Sequence, residues 1–298
     1  MKEILRIAIF PLALVVGVAS TMIAMERGVQ PVAAMFGVYI AGMFVVTALE
    51  RLLPFDREWN HSYGDLGADA LYLPTTWLVG GLMQPASAVL ALALASWLSS
   101  TIGVGLWPTD WPLLAQVALA SVVAEFFDYW SHRAMHESST LWRFHAIHHS
   151  APRLYWLNAT RTHPGETLFR GFIGGLPLAI LGVGAPVLAV WMVIGRVAGL
   201  FQHANIDFEL RPFSMVFSIG ELHRWHHSTR THEANRNYGN TFIFWDSVFG
   251  TRFLPSDRTR PEAVGIDGLE AFPKSLPAQL LAPFRYRRIE EASGAVPD

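Results

Sequence analysis

Five long apolar stretches limit the folds open to this chain more than any other feature of its sequence. They span residues 4–24, 31–53, 68–98, 111–130 and 171–200. Each is long enough to cross a bilayer, because a helix of about 20 predominantly apolar residues suffices. The third and fifth exceed one crossing, and each fits either one long tilted span or a hairpin, broken at Gly80 and Gly81 or between Gly182 and Pro186.

The composition supports lipid as the solvent of these stretches. Hydrophobic residues make up 52% of the 298 residues and charged residues only 15%, whereas soluble domains carry about 25% charged residues. A cleaved signal peptide is the alternative for residues 4–24, but no clear small-residue cleavage site precedes the membrane sequence that follows. We therefore expect an all-α integral membrane bundle of about four spans plus a possible re-entrant hairpin.

Basic residues predict the orientation of this bundle. Lys and Arg precede the first stretch and follow the second and fourth, whereas residues 99–110 contain neither. Cytoplasmic loops are enriched in Lys and Arg. The N-terminus, residues 54–67, residues 131–170 and the tail after 201 are therefore predicted to be cytoplasmic. This assignment requires residues 68–98 to cross once and residues 171–200 to return to their starting side.

Histidines are concentrated in three short segments on the predicted cytoplasmic side. In HRAMH the two rings are four residues apart, and in FHAIHH and LHRWHH three rings have i, i+3, i+4 spacing. A helix places such positions on one face, and packing alone has no use for this repetition. The eight residues are His132, His136, His145, His148, His149, His223, His226 and His227.

The number of imidazoles indicates two metal ions. A structural zinc takes four ligands and a catalytic zinc three, so eight or more imidazoles are too many for one ion. The chain has no cysteine, which excludes thiolate ligands, iron–sulfur clusters and disulfides. Nitrogen-rich sites suit iron, zinc or copper, and the residues alone do not choose among them.

Four other histidines and several carboxylates need separate treatment. His163 and His203 are candidate ligands, with an orienting role as the alternative, whereas His61 and His232 are expected to be structural. Acidic residues near the clusters are candidates to orient the ring nitrogens that do not bind metal. These acidic residues are Asp128, Glu137, Glu166 and Asp246.

The three histidine motifs in this order, followed by NYG and FWDSVFGT, resemble the fatty acid hydroxylase and sterol desaturase superfamily. The resemblance covers residues 121–253. It implies an all-helical membrane fold with a cytoplasmic cap that holds two iron ions. The eight motif histidines would be ligands, and relatives often place further ligands at the positions of His163 and His203. Acyl-chain desaturases usually have one more residue between the first two histidines, so HRAMH favours the hydroxylase and sterol desaturase branch.

The resemblance also implies an oxidoreductase that uses dioxygen to hydroxylate or desaturate a membrane lipid. Sterol-like, acyl-chain, ether-lipid and aminolipid substrates all remain open. No dinucleotide-binding fingerprint is present, so electrons must come from a separate ferredoxin or b-type cytochrome and its reductase. We expect a location in a bacterial inner membrane and no nucleic-acid partner.

Three regions follow from these predictions. Residues 1–110 would form N-terminal membrane helices, residues 111–254 the catalytic domain with its cap, and residues 255–298 a cytoplasmic tail. Two other functions use the same histidines. A metal transporter would place its ligands within the spans, whereas these lie beyond them. A zinc hydrolase would need far fewer histidines.

Overall fold

The computed structural model describes residues 2–102, 106–209 and 213–294, and this part of the chain is helical, with two isolated β-bridges and no longer strand. The helices are α1 (Lys2–Glu26), α2 (Pro31–Leu52), α3 (Leu66–Ile102), α4 (Leu113–Glu137), α5 (Ser139–His149), α6 (Pro164–Ile180), α7 (Ala185–His203), α8 (Gly220–His226), α9 (Thr231–Ala234), α10 (Phe244–Phe249) and α11 (Leu276–Ser293).

The two overlong apolar stretches adopt different structures. Residues 68–98 lie within one uninterrupted helix, α3, of 37 residues. The stretch 171–200 is instead a hairpin, in which α6 and α7 are joined at residues 181–184. Gly182 has φ +80°, a conformation that glycine adopts readily, and Pro186 stands in the first turn of α7, where its ring is tolerated.

Among the described residues, four helices are long and apolar enough to cross a membrane, and the sequence predicts about four spans. They are Arg6–Glu26, Pro31–Leu52, Leu113–Glu137 and Ala185–His203. The last of them, α7, packs against α1, α2 and α4. Its contact with α2 is close, because a Cβ on Gly42 would lie 3.0 Å from Leu200 Cδ1. Large apolar side chains such as Phe44, 73% exposed, face outward from the bundle, where lipid would surround them.

A helical cap covers one end of the bundle. It forms because α4 runs past its apolar segment to Glu137 and the chain turns into α5 at Ser138, whose Oγ accepts a hydrogen bond from the Leu141 amide at 3.4 Å. Buried ion pairs join the cap to the bundle: Arg153 binds Asp65 at 2.8 Å and Arg161 binds Asp69 at 2.6 Å. These ion pairs connect the cap to the N-terminal end of α3.

The segment after residue 254 lies against this cap. Tyr286 of α11 packs in a small apolar cluster with Ala146 of α5 and Leu269, and Trp142 Nε1 donates a hydrogen bond to its hydroxyl at 2.8 Å. Arg258 pairs with the buried Glu233 at 2.6 Å. The proposed division of the chain at residue 254 stays a prediction.

Candidate metal centre

Nine histidines converge in the cap as two groups. In each group the candidate ligand atoms lie within 4.8 Å of one another. The five-histidine group consists of His132, His136, His145, His149 and His226. The four-histidine group consists of His148, His203, His223 and His227.

Helical periodicity explains how the residues are shared out. On α5, His145 and His149 are one turn apart and enter the five-histidine group, whereas His148 is rotated toward the four-histidine group. The third motif, on α8 and the residue that follows it, shows the reverse allocation. His223 and His227 belong to the four-histidine group, and His226 belongs to the five-histidine group. Each triple motif therefore contributes to both groups, which adjoin where the rings of His149 and His227 stack at 4.2 Å between centroids.

Ring nitrogens crowd together at the centre of the five-histidine group. The Nε2 of His132 lies 3.0 Å from that of His145 and 3.1 Å from that of His226. The Nε2 atoms of His149 and His145 are 3.2 Å apart. His136 Nε2 is buried and has no hydrogen-bond partner. All five rings thus direct a nitrogen to the same small volume.

The four-histidine group has the same design. His223 Nε2 lies 2.9 Å from His203 Nε2 and 3.1 Å from His227 Nε2. The ring of His148 completes the group, with its centroid 4.7 Å from those of His203 and His227. His203, at the last residue of α7, is therefore placed among the motif histidines.

Hydrogen bonds on the outer side of the rings fix which nitrogen carries the proton. In five histidines Nδ1 bonds a protein oxygen: His132 with Tyr238 O (2.7 Å), His226 with Arg236 O (2.8 Å), His145 with Glu166 Oε1 (2.8 Å), His203 with Asn158 Oδ1 (2.8 Å) and His136 with Asn235 Oδ1 (3.1 Å). The carbonyl and amide oxygens can only accept, so in the four rings that face them Nδ1 donates and Nε2 keeps a lone pair.

This arrangement fits metal ions and little else. Two rings that are both protonated at Nδ1 cannot hydrogen-bond through their Nε2 atoms, so lone pairs 3 Å apart, as between His132 and His226, repel unless a cation lies between them. Burial lowers the pKa of His148 to about 3 and those of His149 and His227 well below the ordinary value, so these rings are neutral at pH 7. Neutral imidazole is the form that binds metal.

A carboxylate on α6 orients one of the rings directly. Glu166 is buried and accepts from His145 Nδ1, and Arg170 lies one turn later with its Nη1 3.9 Å from Glu166 Oε1. Arg170 also donates to Asp128 at 3.1 Å. Within the described residues, Asp128 is thus linked to His145 through Arg170 and Glu166.

A second carboxylate supports the loop that orients His132. Asp246 accepts hydrogen bonds from the amides of Tyr238 and Gly239, each at 2.7 Å, and from Thr251 Oγ1 at 2.7 Å. Burial raises its pKa, and the three donors oppose that rise. A Cβ on Gly239 would lie 2.2 Å from the Phe242 carbonyl, so the loop requires glycine. The NYG and FWDSVFGT motifs thus form one structure.

The remaining candidates lie elsewhere. Glu137 is half exposed and accepts from Arg133 on the same helix at 2.7 Å. His163 lies apart from both groups and caps α6, accepting from the Gly165 amide at 2.9 Å while its Nε2 donates to the Leu280 carbonyl at 3.2 Å. His232 is 72% exposed.

Comparison with known proteins agrees with this site. Residues 117–251 match the family model for fatty acid hydroxylases. Ornithine lipid hydroxylase OlsE of Rhizobium tropici is 36% identical over 87% of this chain and 78% of its own length. Methylsterol monooxygenase 2-2 of Arabidopsis thaliana is 29% identical over 46% of this chain and 52% of the relative.

A further relative belongs to the same group. Alkylglycerol monooxygenase of Danio rerio is 31% identical over 44% of this chain and 29% of its own length. No solved structure matches the chain. The similarity to the bacterial hydroxylase covers 265 residues, well beyond the segment 117–251 that the family model matches. On this evidence the chain belongs to the fatty acid hydroxylase and sterol desaturase superfamily, whose members named here oxidise lipids.

Proposed function

We propose that this protein is a di-iron hydroxylase of an aminolipid whose headgroup resembles ornithine. One observation carries the metal part of the proposal, namely the two adjoining groups of five and four histidines whose Nε2 lone pairs converge. The extended similarity to an ornithine lipid hydroxylase supports the substrate class.

The nine clustered histidines are the ligands in this proposal. His163 is left out of the set because both of its ring nitrogens already bond backbone groups. Iron suits a nitrogen-rich site that keeps positions open for an exogenous ligand. Bound there, the two ions would supply the redox chemistry that reduces dioxygen, which imidazoles alone cannot perform.

The protein's own residues hold and tune this site. Glu166 increases the electron donation of His145 by accepting its Nδ1 proton in a hydrogen bond, and Asp246 keeps Tyr238 O in place for His132. Hydroxylation consumes R–H, dioxygen, two electrons and two protons and yields R–OH and water. Because the chain contains no flavin or nicotinamide fingerprint, both electrons come from a separate carrier.

The position of the site suits a membrane substrate. His132 and His136 lie on the last turns of α4, and His203 ends α7; both helices are membrane-span candidates. A lipid in the adjacent leaflet would therefore reach the ions without leaving the apolar phase. We place this side of the membrane in the cytoplasm, on the distribution of basic residues.

Metal analysis combined with oxygen uptake and lipid mass spectrometry tests the proposal. We expect two irons per chain, reductant-dependent oxygen uptake, and ornithine lipid gaining one oxygen atom. His148→Ala and His226→Ala should abolish the product, whereas His232→Ala should not, since that side chain is 72% exposed.

The outcomes separate the competing functions. Zinc without oxygen uptake would favour a hydrolase. Release of the ions during turnover would favour a transporter. Loss of two hydrogens from the lipid would identify a desaturase, and product formed only from sterols or free acyl chains would refute the aminolipid assignment.

A further inference from the structure

A basic patch lies on the outer face of the cap around α11. Its residues are Arg143, Arg285, Arg287 and Arg288. They surround a surface hollow of about 420 Å³ together with Phe284 and Tyr286. Within the described residues, none of the four guanidinium groups forms an ion pair with a carboxylate. The acidic residues of α11, Glu290 and Glu291, come only in its last turn.

Two aromatic side chains join this patch to the five-histidine group. The hydroxyl of Tyr286 accepts a hydrogen bond from Trp142 Nε1 at 2.8 Å. The ring of Trp142 in turn contacts His136 and His149, at 5.3 and 5.4 Å between centroids. A continuous line of contacts therefore leads from the floor of the patch to the rings proposed to bind metal.

We propose that the basic patch is the docking surface for a small acidic one-electron carrier and that Tyr286 and Trp142 form the entry route for its electrons. This inference rests on the proposed function, because hydroxylation needs two electrons for each dioxygen and the sequence contains no dinucleotide-binding fingerprint. The carrier's iron, in an iron–sulfur cluster or haem, is oxidised by one electron in each of two successive encounters.

Charge and composition both fit such a partner. Unpaired arginines attract an acidic protein and accelerate its association. Arginine and aromatic residues are also enriched in the cores of protein interfaces, and Phe284 is 73% exposed beside Arg285. An anionic membrane surface would also be attracted to arginines, but it gives no reason for an aromatic connection from Tyr286 to the histidines.

Binding of an acidic probe tests the docking surface without reference to turnover. The probe is an oxidised plant-type [2Fe–2S] ferredoxin, titrated against the iron-loaded full chain in detergent at low and at physiological ionic strength. We expect salt-sensitive binding that Arg285→Glu and Arg288→Glu each weaken about tenfold at low ionic strength. Arg27→Glu is the matched control. Arg27 is exposed and directly follows α1, at the end of the bundle opposite the cap, so its substitution should leave the Kd for ferredoxin within about twofold.

Equal Kd values for the patch and control variants would overturn the assignment. A second result would also overturn it. If ferredoxin does not bind, and phosphatidylglycerol vesicles bind in a way that depends on the same arginines, the patch is a membrane-contact surface.

The electron route is tested by Tyr286→Phe, which removes the hydroxyl that accepts from Trp142. The Kd for ferredoxin should stay unchanged, while the rate at which reduced ferredoxin reduces the iron should fall severalfold. An unchanged rate would refute the route. Reduction by dithionite serves as the reference, because a small reductant does not need the patch. If the wild-type protein oxidises no lipid with dithionite as reductant, the proposed function is refuted. The ferredoxin-binding measurements test the docking surface independently of that result.

Discussion

Replacing Asp246 by asparagine should destabilise the cap and lower its metal content. Asp246 is fully buried, and its two oxygens accept three hydrogen bonds of 2.7 Å, from the amides of Tyr238 and Gly239 and from Thr251 Oγ1. An asparagine has one carbonyl oxygen. Its amino group must therefore take one carboxylate position and face a donor.

The magnitude follows from counting these bonds. If the asparagine oxygen keeps the two bonds to Tyr238 and Thr251, the buried Gly239 amide loses its acceptor, at a cost of about 1–3 kcal/mol. The two surviving bonds change from charge-assisted to neutral, which loses about 1 kcal/mol each. The free energy of unfolding should therefore fall by about 3–5 kcal/mol. Because Tyr238 O holds His132, bound iron should also decrease.

Equilibrium unfolding in mixed detergent micelles and metal analysis of the purified protein measure the two effects. The matched control is Asp257→Asn, an exposed position, where surface substitutions usually change stability by less than about 0.5 kcal/mol. Wild-type stability and iron content in Asp246→Asn would refute the structural role assigned to this carboxylate.

Three further outcomes are expected. Glu166→Gln should weaken iron binding about 10-fold to 100-fold by metal titration, because Glu166 bonds His145 Nδ1. Glu137→Gln should match wild type, because Glu137 is half exposed and pairs with Arg133. Equal affinities of the two variants would remove Glu166 from the site. A strong chelator should lower the Tm of the holo protein and added Fe²⁺ should restore it, and a Tm insensitive to metal would argue against ligation. Acid should destabilise the metal-free protein. Burial lowers the pKa of His148 to about 3 in the folded protein, whereas it is about 6.5 in the unfolded chain. Between these two pH values only the unfolded chain binds the proton, so the free energy of unfolding falls by up to about 1.4 kcal/mol per pH unit for this residue. A Tm that is flat between neutral and acidic pH would contradict that pKa.

Local periodicity explains why the histidines were predictable. Positions three and four apart share a helix face whatever the tertiary structure, so the clustering of the histidines within each motif follows from their spacing alone. The interleaving of the motifs does not. It depends on how α5, α7 and α8 face one another, which brings His148 beside His203, 55 residues later in the chain.

The sequence predicted where the apolar stretches lie, but it did not show whether the two longest ones form a single helix or a hairpin. Gly182 and Pro186 break the stretch 171–200 because one has positive φ and the other begins α7. Gly80 and Gly81 do not break α3, since glycine in a helix costs only about 1 kcal/mol, which lipid and tertiary packing offset. The hydrophobic periodicity of the sequence does not reveal how far packing offsets the cost of glycine in a helix.

Outer hydrogen-bond partners were the hardest part to predict. Backbone carbonyls of Tyr238 and Arg236 orient His132 and His226, and every residue has a carbonyl, so no side-chain pattern reveals them. His163 shows the opposite case. It directly precedes Pro164, the first residue of α6, a position typical of a helix cap, and that local signal accounts for its hydrogen bonds.

Anomalous scattering at the iron edge, recorded from crystals of the iron-loaded protein, would locate the metal ions themselves. We expect two peaks in each chain, one among His132, His136, His145, His149 and His226 and the other among His148, His203, His223 and His227. A single peak, or peaks outside these two groups, would disprove the dinuclear centre.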